Sequence, residues 1–281
     1  MSIVNIVRSR KENLASLLDK HSSSKFFLTF GPQTKEGTWA LTQRQNNHPS
    51  PLRLLILDSS FNPPTRAHHA LLSNTLNRQR KDFDAALLLL SSRNADKQLN
   101  GASVMQRMQM MEIIARQDEF KHFPVYVGLT SEAKFVDKAM EVQHWYQQQH
   151  TTTRNVDMEL HFILGFDTVT RLFDPKYYHP LSVQHALDPF FKNCFLICAD
   201  RSGNNDDDDD VSNFWNSSLV RGYAHRMTRI SLDNQDLTTI SSTLARQAAA
   251  TAGLEPQSRL ELKRFLDEDI VNYILDEKLY Q

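Results

Sequence analysis

The sequence predicts an α/β fold, an open parallel sheet with helices on both faces, and three observations carry that prediction. Apolar runs of strand length recur at residues 54–58, 84–91, 123–129, 161–165 and 193–200. The run at 84–91, DAALLLLS, is continuous rather than alternating, which suits a strand covered on both faces and so a parallel sheet. Between the runs lie stretches with apolar residues at helical spacing, so strands and helices alternate and right-handed crossovers follow.

The chain has 281 residues, enough to bury a substantial core as one large domain with additions. Lys+Arg number 32 and Asp+Glu 33, a balance that gives no reason to expect a nucleic acid as main partner. A small anionic ligand stays open, because it needs only a local positive pocket. No charged-then-apolar leader opens the sequence and no apolar run approaches bilayer length, so a soluble intracellular protein without a membrane span is expected. Cys194 and Cys198, four apart in the strand candidate NCFLICAD, should share one face as free buried thiols.

Residues 3–18 place Ile3, Ile6, Leu14, Leu17 and Leu18 at helical spacing, an amphipathic helix docked on the main body. Residues 22–51 mix polar residues, Gly and Pro, a connector with one short strand at 25–29. The expected division is therefore 1–50, N-terminal helix and connector, and 51–281, the main domain. Within it, Asp206 to Asp210 repel one another and stay hydrated, so 204–212 is expected as a disordered acidic insertion. Ser103 is a plausible N-cap for the helix that follows it.

The stretch LLILDSSFNPPTRAHHALL, 54–72, reads as strand, tight polar turn and helix start. Ser59 and Ser60 are small enough for close approach of a ligand, and Pro63 and Pro64 stiffen the turn. Free N–H groups at such a helix start favour an anion over the strand end. Thr65 and His68, three apart, share a face, so a hydroxyl and an imidazole converge on one phosphate. Turn chemistry alone also accounts for Asn, Pro and Thr here, and a surface histidine is common.

Other candidates follow strand ends, where open parallel sheets bind ligands. Gly165 leaves room for a sugar and Asp167 can hold ribose hydroxyls or simply cap a helix. Lys97, Arg107 and Arg201 are cations near strand ends or in a helix's first turns. Ser241, Ser242 and Thr243 open a late helix, with Arg246 one turn in on the side of Ser242 and Thr243.

Two of these stretches resemble the signatures of the nicotinamide mononucleotide adenylyltransferase family, within the nucleotidyltransferase superfamily of the (H/T)xGH-type motif. The first family signature runs Gly, Ser, Phe, Asn, Pro, any residue, Thr, two variable residues, His. Ser60, Phe61, Asn62, Pro63, Thr65 and His68 match it, and Ser59 replaces the glycine. The second is matched by Ser242, Thr243 and Arg246, with Thr238 where the family has asparagine. Between them, Gly165, Asp167, Phe173 and Pro175 match a family station, with Tyr177 and Tyr178 where tryptophan is usual.

The resemblance implies a Rossmann-like sheet of nucleotidyltransferase type and adenylyl transfer from ATP to nicotinamide mononucleotide, giving NAD and pyrophosphate. It implies catalytic roles for His68, Thr65 and Arg246. ATP would meet Ser60, Phe61, Gly165, Asp167, Ser242, Thr243 and Arg246. Nicotinamide mononucleotide would meet Lys97, Phe135 and Arg201, Phe135 standing where the family usually has tryptophan. The implied cofactor is Mg2+, carried by the phosphates of ATP rather than by ligands of the chain. A homo-oligomer is compatible with the family, and the expected location is the cytoplasm, with the nucleus as a second compartment. Two alternatives remain: a relative using another phosphate acceptor, and a degenerate nucleotide-binding ATPase or scaffold on the same fold.

Overall fold

In β2 (Leu52–Asp58), side chains alternate between two separate cores, the consequence of a two-residue side-chain period in a strand covered on both faces. Leu55 and Leu57 enter one apolar cluster and Leu54 and Ile56 the other. The computed structural model describes residues 2–33, 35, 39, 51–93, 101–149, 157–200, 209–231, 237, 239–251 and 256–281.

Before β2, the chain forms α1 (Ile3–Ser9), α2 (Lys11–Lys20) and β1 (Phe26–Phe30). After it come α3 (Arg66–Gln79), β3 (Ala85–Ser91), α4 (Val104–Ala115), β4 (Val125–Thr130) and α5 (Phe135–Gln149). The second half supplies β5 (Met158–Gly165), α6 (Phe166–Leu172), α7 (Val183–Asn193) and β6 (Cys194–Asp200). It continues with α8 (Asp209–Asn216), α9 (Ser218–Gly222), β7 (Met227–Ser231), α10 (Ser242–Thr251), α11 (Pro256–Phe265) and α12 (Glu268–Asp276).

Among the described residues seven strands make one sheet in the order β1-β4-β3-β2-β5-β6-β7. Every neighbouring pair is parallel except β1 with β4. The chain steps outward from β2 through β3 to β4, then returns to lay β5 against the other side of β2. The order therefore reverses between β2 and β5, and their carboxyl ends flank the crevice where such sheets bind ligands. α1, α4 and α12 contribute to the core on one face, and α5, α6 and α7 to that on the other.

The α/β class, the open parallel sheet and the helices on both faces match expectation, with one antiparallel strand at the sheet's edge. The short strand in the connector became an antiparallel edge strand, because Phe26 and Leu28 can enter one core while Phe27 enters the other. The single helix expected over 3–18 is two helices broken at Arg10, whose guanidinium reaches the buried Glu112 at 2.8 Å. Ser103 does cap α4, in a full capping box with Gln106. Of the expected acidic insertion at 204–212, residues 209–212 open α8, where the Asp210 carboxylate suits the helix's positive end; residues 204–208 lie outside the described residues. Cys194 and Cys198 are buried on one face of β6, and burial pushes the Cys194 thiol well above its ordinary range.

No helix among the described residues is long and apolar enough to cross a membrane.

Candidate functional site

β2 ends at Asp58, and the seven residues that follow turn the chain into α3. Phe61 takes a left-handed backbone, φ 43°, uncommon for a residue with a Cβ. That geometry sends its ring inward, fully buried, with its centroid 5.4 Å from that of the His68 imidazole. The imidazole therefore rests on a rigid apolar support.

His68 is held from both ring nitrogens. The Thr65 backbone N–H donates to Nδ1 at 3.0 Å and the Thr65 hydroxyl lies 2.8 Å from the same atom. A nitrogen that accepts an N–H cannot carry its own proton, so Nε2 carries it in the neutral ring. That N–H points at Ser59 Oγ, 2.8 Å away. Thr65 thus fixes the tautomer, and the donor faces the strand end.

The start of α10 docks on the same loop. Ser242 Oγ donates to the Pro63 carbonyl at 2.8 Å, and Arg246 Nη1 donates to the Asn62 carbonyl at 2.6 Å. Arg246 Nη2 also reaches Thr243 Oγ1 at 3.2 Å. Two hydroxyl-bearing turns nearly 180 residues apart in sequence therefore meet. Arg107 braces the loop from beneath: it is buried, and donates to the carbonyls of Ser60 at 3.2 Å and Ala102 at 2.8 Å. Burial lowers its pKa, and the neighbouring Arg246 adds to that while Tyr280 opposes it.

Beside the loop, at the ends of β2 and β3, opens a cavity of about 280 Å3. Its floor holds a buried ion pair: Lys138 Nζ is 2.7 Å and 3.0 Å from the two Asp58 carboxylate oxygens. The same ammonium lies 4.6 Å from the Phe135 ring centroid. Tyr177 and Tyr178 form another wall, the Tyr178 hydroxyl donating to the Leu172 carbonyl at 2.7 Å. Arg93, Lys134 and Arg171 add three exposed cations to the lining. An anion with a flat ring suits these walls: cations for the charge, aromatic faces for the ring.

Residues 56–248 match the family described as cytidylyltransferase-like. The chain belongs to that family. This cytidylyltransferase-like chain is 28% identical over 229 residues to a Schizosaccharomyces pombe protein whose provisional name is nicotinamide mononucleotide adenylyltransferase. The match covers 79% of this chain and 83% of that one. Two structures of the Plasmodium falciparum nicotinic acid mononucleotide adenylyltransferase, complexed with NaAD and with APC, share its fold with TM-scores of 0.54 and 0.53. Each is 16% identical and covers 82% of this chain and 97% of that chain.

Of the candidates in this cytidylyltransferase-like chain, Thr65, His68, Ser242, Thr243 and Arg246 come together around one loop. Ser60 and Phe135 line the cavity. Phe61 presents no side chain to a ligand; its ring serves as the support under His68. Gly165 ends β5 in the crevice as the N-cap of α6, with nothing within 4 Å of where a Cβ would stand, and Asp167 is exposed in the first turn of that helix. Phe173 is buried in an aromatic cluster with Phe191, Phe214 and Tyr223, a packing role. Lys97, Arg201 and Thr238 lie outside the described residues.

The residues the sequence did not single out are Asp58, Lys138, Arg93, Lys134 and Arg171. Lys138 sits one turn after Phe135 on α5, and its neighbours along the helix are ordinary, so only the fold brings it over Asp58. Asp58 carried a weak signal: a carboxylate closing an apolar strand immediately before the motif.

His69, next to His68, anchors α3 on the other side. Its Nδ1 lies 2.7 Å from Asp267 and its Nε2 contacts Glu119, with the Phe120 ring alongside. Burial works to lower its pKa, but the hydrogen bonds and charges of Asp267 and Glu119 override it and the net shift is upward from 6.5. A raised histidine adds stability fully present below about pH 6.5, and that stability is lost as pH rises through the native-state pKa. Thermal midpoints measured from about pH 6 to about pH 9 should fall across that window in the wild type. The His69→Gln variant should start lower and show a flatter profile; parallel profiles would mean the imidazolium clamp contributes nothing.

Proposed function

We propose that this protein transfers the adenylyl group of ATP to nicotinamide mononucleotide, giving NAD and pyrophosphate. The observation that carries the reading is the docking of Ser242 and Arg246 onto the loop that aims His68 Nε2–H, beside a cation-lined aromatic cavity. The provisional name of the fission-yeast relative supports the same chemistry.

In this reading the triphosphate lies along the loop and the mononucleotide occupies the cavity. An oxygen of the acceptor 5′-phosphate attacks the α-phosphorus, the bond from that phosphorus to the bridging oxygen of the β-phosphate breaks, and pyrophosphate leaves with the electron pair. The attacking oxygen is already anionic near neutral pH, so no general base is needed. The chain's work is alignment and neutralisation of developing charge. His68 exchanges Ser59 for an α-phosphoryl oxygen, Thr65 keeps the ring in the donating tautomer, and Arg246 with the Ser242–Thr243 turn takes the leaving group. Arg93, Lys134 and Arg171 draw in the acceptor, and Phe135 and Tyr178 flank its ring.

Mg2+ would arrive on ATP. Among the described residues there is no group of three or more His, Cys, Asp or Glu side chains able to cage a metal, and Asp58, the carboxylate beside the loop, is taken up by Lys138. That donor set fits an ion held by phosphate oxygens and water, where it would neutralise charge on the triphosphate.

The test is purified protein with ATP, Mg2+ and nicotinamide mononucleotide, assayed for NAD and for pyrophosphate. Formation of both in equal amounts is expected. Pyrophosphate without NAD when other phosphate acceptors are supplied would move the reading to a different acceptor, and no product with any acceptor would refute transfer.

A further inference from the structure

The residues after α12 fold back beneath the signature loop, and the position of Tyr280 there is more specific than core filling requires. Lys278, φ 50°, closes α12 with a left-handed residue, and the Leu279 N–H returns to the Ile274 carbonyl at 2.9 Å, a common helix ending. Leu279 enters the apolar core. Tyr280 then adopts a second left-handed backbone, φ 66°, which the helix ending does not call for. Its consequence is that the phenol reaches Asn62, the residue whose carbonyl receives Arg246.

Asn62 is held from two sides. Its side-chain Oδ1 accepts the Ala102 N–H at 3.2 Å and the Tyr280 hydroxyl at 2.9 Å, and its main-chain carbonyl accepts Arg246 Nη1 at 2.6 Å. Two donors on one amide atom settle which way the amide faces. The space is tight: a Cβ built at Gly101, φ 84°, would stand 2.9 Å from Asn62 Oδ1 and 3.1 Å from the Tyr280 ring. Burial keeps the Tyr280 phenol protonated far into alkaline pH, so it remains a donor.

We propose that Tyr280 is a positioning residue of the triphosphate site: by pinning Asn62 it sets the peptide that presents Arg246 to the leaving phosphates. The assignment rests on the reading that ATP is the guest of this loop. Tyr280 touches no reacting atom. Its effect passes through Asn62 to Arg246, so it should fall on ATP and spare the acceptor, whose cavity Tyr280 does not line.

The test is Tyr280→Phe, which keeps the ring and removes only the hydroxyl. KM for ATP should rise about five-fold, within the range of one lost hydrogen bond, with KM for nicotinamide mononucleotide unchanged and the thermal midpoint lower by only about 2–4 °C. The affinity for a non-hydrolysable ATP analogue, measured directly by calorimetry, should weaken by the same factor. Adding Tyr280→Phe to Asn62→Ala should cost nothing more, because the hydroxyl's partner is already gone. Unchanged ATP binding, or equal losses for both substrates, would overturn the proposal. The calorimetric arm separates the two readings: weaker analogue binding in a protein that makes no NAD would uphold the role of Tyr280 and refute the acceptor. Normal NAD synthesis with unchanged ATP affinity in the variant would do the reverse.

Discussion

His68→Ala is expected to lower kcat for adenylyl transfer on the order of a hundredfold or more, with a much smaller change in either KM. The split follows from geometry. Nε2–H has a partner in Ser59, so exchanging that oxygen for one of ATP gains little in the ground state, and the donor contributes where charge builds on the α-phosphoryl oxygens. Ser59→Gly should move the other way. Removing the hydroxyl frees the donor from its resting bond, and kcat/KM for ATP should rise about threefold, the scale of one modest hydrogen bond. Steady-state kinetics on the two variants checks both; a fall in Ser59→Gly would mean that the hydroxyl supports the imidazole rather than competing for it.

Lys138→Ala should be among the most destabilising single changes in the chain. It leaves the Asp58 carboxylate, one-tenth exposed at its side chain, without its ammonium on the cavity floor. Breaking a buried pair by removing one member costs about 3–5 kcal/mol, because the surviving charge stays desolvated. For a chain of this size the thermal midpoint should drop by about 10 °C. Exposed pairs such as Lys263–Glu268 should cost little when broken, because solvent screens them. Combining Lys138→Met with Asp58→Asn should recover much of the loss, since no unpaired charge remains. A double variant as unstable as Lys138→Ala would show that the unpaired Asp58 charge is not the source of the loss.

The fold was legible in the sequence where burial dictates pattern. β3 and β4 sit deep between two helical layers, and such strands must be apolar throughout; the motif turn was legible because proline and small hydroxyl residues in that order have few alternative uses. β1 was harder, because an edge strand of five residues carries little periodicity and its antiparallel direction depends on a partner a hundred residues away. α7 gave no usable signal: Pro189 stands inside it and disguises the helical spacing that Val183, Leu187, Phe190 and Phe191 otherwise make.

The candidate site divides along the same line. His68, Thr65 and Arg246 belong to local motifs, and a motif is contiguous in sequence. The Lys138–Asp58 pair and Arg107 are visible only after folding, because each depends on elements that the sheet order brings together. Arg107 shows the difference: on the first turns of α4 it reads as either a solvated cation or a ligand contact, and it proves to be a buried brace under Ser60 and Ala102.

The two thiols of β6 equip the protein with an internal reporter. Neither Cys194 nor Cys198 can meet an alkylating reagent while the sheet is intact, since both face the packed layer beneath α7. Their labelling rate should therefore register dissolution of the central architecture alone, blind to fraying at the periphery, and would give a chemical clock for conformational opening without an added probe.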